Sequence, residues 1–309
     1  MNHPTHSTRR DFLKLAATTA ALTPFAGFAK STPFERSGAP RFKLGLAAMS
    51  FAGYFPTNRG RPNPKANPAK ALDIFSFVDY CAKQGFEGAE LTSYFFPDNT
   101  DATLVKLRRH CFLRGVSISG TAIGNNVAQP KGAKRDGEIA AVKQWVDRAV
   151  VLGAPHVRIF AGELAATPPY PDARKLVIEA LEECGDYAGK RGIFLGIENH
   201  DSLDHAAAMV PLIKAVNSPW VGINLDPSLH SDDPYRDIAE CALYALNVQL
   251  QTEIYAGKGK KNPADFKRIA RLLREGGYQG WIALKYESAE DPMIAVPRVL
   301  QEMRAAFTS

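Results

Sequence analysis

Eight times along this chain a short strand-like run gives way to a longer segment with helical periodicity, and that alternation constrains the fold more than any other feature. The runs are Phe42–Ala48, Glu87–Thr92, Val116–Thr121, His156–Ala161, Phe194–Glu198, Val221–Asp226, Asn247–Ile254 and Trp281–Glu287. The helical segments between and after them are Ala69–Gly85, Asp101–Gly115, Asp136–Gly153, Asp172–Gly192, His205–Val216, Tyr235–Ala245, Pro263–Gly277 and Asp291–Phe307. In the third of these, Ile139, Val142, Val146, Ala149 and Val150 recur at the spacing that keeps one face apolar. Eight such units predict an α/β chain closed into a parallel (β/α)8 barrel. A doubly wound open sheet is the alternative, but it would usually carry a phosphate-binding G-x-G-x-x-G turn after its first strand, and none is present. The connection Phe51–Pro68, rich in Gly, Pro and Asn, is too long for an ordinary loop and reads as a lid or binding loop.

Two consecutive runs stop on a carboxylate: Phe194-Leu-Gly-Ile-Glu198 and Val221-Gly-Ile-Asn-Leu-Asp226. The carboxyl ends of barrel strands are where this architecture keeps its chemistry. Either acid alone could merely cap the helix after it, and Asp226-Pro227 suits that reading. Two in succession favour a shared site. Side chains alternate along a strand, so Glu198 and His200 share a face, as do Gln249 and Gln251, and Lys285 and Glu287. Glu198, Asp226, Gln249 and Glu287 are therefore expected to converge above the barrel mouth as a hard, oxygen-rich site suited to Mn²⁺ or Mg²⁺. Without a cation these acids would repel one another.

Gly196-Ile-Glu-Asn-His200, Asn224-Leu-Asp-Pro227, Gly153-Ala-Pro-His-Val-Arg-Ile-Phe-Ala-Gly162 and Gly277-Tyr-Gln-Gly-Trp-Ile-Ala-Leu-Lys-Tyr-Glu287 together resemble the xylose isomerase-like TIM barrels. That is the sugar isomerase/epimerase superfamily, which includes inosose dehydratases and ketose 3-epimerases. The resemblance runs from about Phe42 to the C-terminus. It implies a divalent metal held by a Glu after strand five, an Asp after strand six, a His from strand seven and a Glu from strand eight, with the two Glu shuttling the substrate proton. The chain departs twice from that pattern. Strand seven reads Asn247-Val-Gln249 where H-x-H is usual, and Lys285 stands where the strand-eight Glu would fall, with Glu287 two residues on. Lys285 is expected either to act as a cationic acid/base that orients an enolate or to pair with its acidic neighbours. His200 is the leading candidate for recognising sugar hydroxyls. His230 and Arg158 are further substrate-binding candidates, although His230 also fits an exposed loop and Arg158 a simple charge partner.

The expected activity is metal-assisted proton transfer through an enediolate on a non-phosphorylated sugar or sugar derivative, with Glu198, Glu287 and Lys285 as catalytic groups. The same chemistry beside a leaving group becomes elimination, so a lyase acting on keto-glycosides or inosose-type substrates is the near alternative. A metallo-phosphodiesterase would need a His-rich trinuclear zinc site, and the scarcity of suitably placed histidines argues against it. A non-catalytic sugar-binding barrel is the third class, kept open by the two departures.

The N-terminus has a different purpose. Ser7-Thr-Arg-Arg-Asp-Phe-Leu-Lys14 precedes a mild apolar run from Leu15 to Phe28, with small residues Gly27 and Ala29 framing a cleavage point. Residues 1–29 are read as a twin-arginine (Tat) signal, 30–41 as a linker and 42–309 as the barrel domain. The implied location is the periplasm, reached through the Tat machinery, with no stable membrane anchoring after cleavage. The signal carries a net +2, which leaves +4 of the chain's +6 for the remainder. Its densest cluster, Lys258-Gly-Lys-Lys261, is a loop decoration rather than a nucleic-acid grip. The four cysteines, Cys81, Cys111, Cys184 and Cys241, form no C-x-x-C and lie in helical segments, so free buried thiols are expected. The oligomeric state, a homo-oligomer included, is left open by the sequence.

Overall fold

A computed structural model describes residues 34–164, 170–228, 232–255, 259 and 261–308. The signal segment and His230 lie outside the described residues. Eight parallel strands close into a barrel: β1 (Phe42–Ala47), β2 (Gly88–Thr92), β3 (Ser117–Ala122), β4 (His156–Ile159), β5 (Phe194–Glu198), β6 (Val221–Leu225), β7 (Ala245–Leu250) and β8 (Gly280–Leu284). Each pairs with its neighbours in sequence, and β8 pairs with β1 to complete the ring. The helices are α1 (Ile74–Gln84), α2 (Asp101–Leu113), α3 (Ala133–Leu152), α4 (Tyr170–Gly189), α5 (Ala206–Ala215), α6 (Pro234–Ala242), α7 (Phe266–Glu275) and α8 (Pro292–Phe307). The chain is a (β/α)8 TIM barrel.

Apolar and polar side chains divide the strands between them. Leu91, Ile159, Ile197, Leu225, Leu250 and Leu284 are buried beneath the helices, each worth about 1.5–3 kcal/mol of transfer free energy. Their alternates on the opposite face are polar, among them Glu90, Arg158, Glu198, Asn224 and Gln249, and these fill the barrel interior. At the amino-terminal end the Trp281 ring closes over Gly88, where a Cβ would stand 2.5 Å from the indole. Lys43 Nζ lies 5.3 Å from the same ring. The base is thus plugged, and access to the interior is from the carboxyl ends of the strands.

Local signals explain the element boundaries. Helix α1 begins five residues later than the sequence periodicity suggests, because Asp73 and Ser76 form a reciprocal capping box there. It ends at Gly85, whose φ of +78° turns the chain back towards β2. The long first connection is not structureless: it holds a 3-10 turn, Ala48–Tyr54, and a small hairpin of Thr57–Asn58 with Arg61–Pro62. Strand β7 stops at Leu250, short of the expected Ile254. Glu253–Tyr255 instead pairs with Lys261–Pro263 as a separate ribbon above the barrel. Residues 34–41 hold no helix or strand, yet Phe34 N–H bonds Leu243 O at 3.2 Å and its ring meets Phe194 edge-on, so the end of the expected linker is docked on the barrel. All four cysteines are buried and free. No helix among the described residues is long and apolar enough to cross a membrane.

Candidate active site

At the mouth, the ends of β5 to β8 bring four polar side chains around one point, and the centre of that point is Lys285. Its Nζ donates to Asp226 Oδ2 at 2.9 Å and to Glu198 Oε1 at 3.1 Å, with Glu287 Oε2 at 3.8 Å. Burial works against the ammonium charge, but attraction to Asp226, Glu198 and Glu287 outweighs it and raises the lysine pKa above its ordinary value. Burial likewise pushes Asp226 upward, yet Lys285 and the Ser228 hydrogen bonds prevail and hold it below the usual carboxylate range. Glu287 goes the other way. Burial raises its pKa, Lys285 opposes, and repulsion from Asp226 and Glu198 adds to the rise. Two carboxylates on one cavity are thereby tuned apart, as acid–base pairs require.

Each of these groups is held from behind. The Asn199 side chain clamps the backbone of Asp226, accepting its N–H at 2.7 Å and donating to its carbonyl at 2.8 Å. Asp226 Oδ1 also accepts from the Ser228 backbone and hydroxyl at 2.9 and 2.7 Å. The Gln251 amide nitrogen bridges Asp226 Oδ2 and Glu287 Oε2 at 2.9 and 3.0 Å. On the far side of Glu198, Arg158 Nε lies 2.8 Å from Oε2, an ion pair without hydrogen-bond alignment. Arg158 is fixed in turn by Ile123 O at 2.7 Å and by the Phe160 ring beneath it. Burial disfavours its charge, and Glu198 more than restores it.

The expected site residues divide into three groups. Glu198, Asp226, Lys285 and Glu287 come together. His200 reaches the rim of the same cavity, half exposed, with Nδ1 2.7 Å from Asp201 and its ring against Phe160. Arg158 is brought to Glu198 rather than to the open cavity. Gln249 is not brought to the mouth: its amide oxygen accepts from Asn224 at 3.0 Å and its nitrogen donates to Glu90, one layer deeper. The residue of β7's face that does reach the carboxylates is Gln251.

Besides Gln251, two groups went unassigned in the sequence. Glu90, fully buried, accepts from Asn247 at 2.8 Å and from Gln249, and burial raises its pKa against the pull of Gln249, Arg158 and Asn247. Asn199 is the other. Its place inside Glu198-Asn-His200 was visible, but nothing in that run points to the Asp226 backbone.

The divalent cation implied by the family resemblance does not fit this donor set. The oxygens it would take from Glu198 and Asp226 accept from an ammonium, and Gln251 presents its nitrogen rather than its oxygen to the same place. A dication 4 Å from an ammonium is repelled by about 8 kcal/mol at an effective dielectric of about 20. Among the described residues, no three His, Cys, Asp or Glu side chains gather as a metal site. The cavity above Lys285 has a volume of about 470 Å³ and is rimmed by Asp201, Asp204, Tyr255 and Lys261, within the range of small-molecule sites.

The fold agrees with the sequence comparison. A profile of the xylose isomerase-like TIM barrel matches residues 78–305, and the chain belongs to that family. No curated protein matches the chain. Among solved structures, a D-psicose 3-epimerase from Clostridium cellulolyticum H10, crystallised with D-tagatose, superposes with a TM-score of 0.69 at 15% identity, covering 86% of this chain and 99% of that one. A 3-keto-D-glucoside 4-epimerase from E. coli gives 0.64 at 16% identity, covering 86% and 100%. A probable 3-DHS dehydratase from Bacillus anthracis gives 0.61 at 15% identity, covering 86% and 99%. Likeness at these identities establishes the fold alone.

Proposed function

We propose that this chain is an exported enzyme that moves a proton on the carbon beside a carbonyl of a non-phosphorylated sugar or sugar derivative, as an isomerase or epimerase. The observation that carries the reading is that Glu198 and Glu287 line one cavity, at 3.1 and 3.8 Å from the Lys285 ammonium. One carboxylate takes the proton from carbon, and the electron pair moves into an enediolate. The other carboxyl group returns a proton to the opposite face or to the neighbouring carbon. Asp226, kept ionised, anchors Lys285, and His200 is placed to contact hydroxyl groups at the rim. The carboxylates lining the cavity, Asp201 and Asp204 with Glu198, Asp226 and Glu287, outnumber Lys261 and Lys285 and disfavour a phosphate, which is why an unphosphorylated substrate is proposed.

The activities of the structural relatives suggest where to look: D-psicose, D-tagatose and 3-keto-D-glucosides. Incubation of the protein with each in deuterated water, read by NMR, should yield an epimer or isomer carrying deuterium at the reacting carbon. Absence of both product and label across the panel would refute the reading. Elimination would appear in the same spectra as an alkene, since it begins with the same proton abstraction.

Export rests on the twin-arginine segment. Changing Arg9 and Arg10 together to Lys should hold the protein in the cytoplasm. Undiminished periplasmic protein would refute Tat export.

A further inference from the structure

We propose that the Lys285 ammonium takes both the place and the task of the divalent cation that the family resemblance implies, making this a metal-independent, lysine-centred member of its fold. An ammonium has three N–H donors. Two are used, on Asp226 at 2.9 Å and Glu198 at 3.1 Å. The third carboxylate near it, that of Glu287, has its Oε2 3.8 Å away, beyond hydrogen-bonding distance. Lys285 lines the cavity, so its third donor is available to a substrate oxygen.

A cation fixed by two carboxylates behind it and open to a ligand in front is what an enediolate needs. In the step, the C–H bond breaks, its electrons form the C=C bond, the carbonyl π pair moves onto oxygen, and the proton goes to a carboxylate. The oxygen's new charge faces Nζ, and no proton leaves the lysine. No oxidant, reductant or second substrate is required. Asp226 is a positioning group for the ammonium in this scheme, Glu198 both holds the ammonium and exchanges the substrate proton, and Gln251 completes the arrangement by giving its amide nitrogen to Asp226 and Glu287.

The same geometry predicts a concealed metal site. Lys285→Glu would remove the ammonium and add a carboxylate among Glu198, Asp226 and Glu287, the hard oxygen set that manganese accepts. Manganese binding is followed by electron paramagnetic resonance on the purified full-length barrel and on the Lys285→Glu variant. The wild-type protein should show no saturable site. The variant should take up one equivalent, at least about 100-fold more tightly. Wild-type protein that binds one equivalent as tightly as the variant would overturn the proposal, as would a folded variant that gains nothing. Should the variant fail to fold, the wild-type titration still decides.

The mechanistic half rests on the function proposed above and has its own readout. After dialysis against EDTA, the wild type should keep its deuterium exchange, while Lys285→Met should lose about 100-fold or more. Exchange that vanishes with EDTA and returns with manganese would refute the lysine's role. A protein that exchanges nothing in either state refutes the assigned reaction instead and leaves the metal titration standing.

Discussion

Acidification should loosen this barrel through one residue, His156. Its ring lies inside the barrel against Gly120, where an added Cβ would overlap the imidazole. Nε2 has no hydrogen-bond partner, and its pKa is lowered from 6.5 to about 4, first by burial and further by Arg158, against a hydrogen bond with the Ser119 backbone. Between those values the unfolded chain binds the proton and the folded chain does not, so stability falls as pH falls through this window. At pH 7 the penalty is negligible. At pH 5 the linkage relation gives about 2 kcal/mol, approaching about 3 kcal/mol near pH 4. Glu90 and Glu287 have raised pKa values and act in the opposite sense, adding stability on acidification. The His156 contribution is therefore read against a variant. Urea unfolding, followed by tryptophan fluorescence, is measured for wild type and His156→Gln at pH 7 and pH 5. The wild type should lose about 2 kcal/mol more than the variant across that interval. Parallel pH dependences for the two proteins would refute the reasoning.

Three further outcomes follow from the packing around the site. Gly120→Ala should destabilise by about 1–3 kcal/mol through overpacking against His156, measured in the same urea titration; an unchanged midpoint would contradict the close contact. Arg158→Met should cost about 3 kcal/mol, the lower end for a broken buried pair because Lys285 still holds the other oxygen of Glu198; its turnover should drop with KM little changed, since Arg158 does not reach the cavity. Asn199→Ala removes both hydrogen bonds to the Asp226 backbone and should cost about 1–3 kcal/mol, with turnover falling more than affinity; a variant that loses affinity alone would place Asn199 against the substrate instead.

The barrel was legible in the sequence because each strand alternates an apolar residue for the helix layer with a polar or small one for the interior. Glu198 and Asp226 were legible for the same reason, being carried by Gly-Ile-Glu and Asn-Leu-Asp at strand ends. What could not be read was height. Gln249 and Gln251 share a face of one strand, and only the stagger between strands, which pairs Asn247 with Asn224 and Gln249 with Ala283, decides which one stands at the mouth. Glu90 was missed because its partners lie 157 and 159 positions away, beyond any local pattern. Lys285 was anticipated beside Glu287, yet it bonds Asp226 and Glu198 more closely, since a long side chain at the end of β8 reaches across the mouth to β5 and β6. The change at strand eight that set this chain apart from the family pattern thus turned out to lie at the centre of the site.

The central claim is that Glu198 and Glu287 serve opposite faces of one carbon around a fixed ammonium. Deuterium wash-in by Glu198→Gln and Glu287→Gln, each tested on both epimers of whichever substrate the wild type converts, probes it most directly. Each variant should lose net conversion by about 100-fold or more yet still label one epimer, and the two variants should label opposite ones. Label entering both epimers in a single variant, or conversion surviving in either, would contradict it.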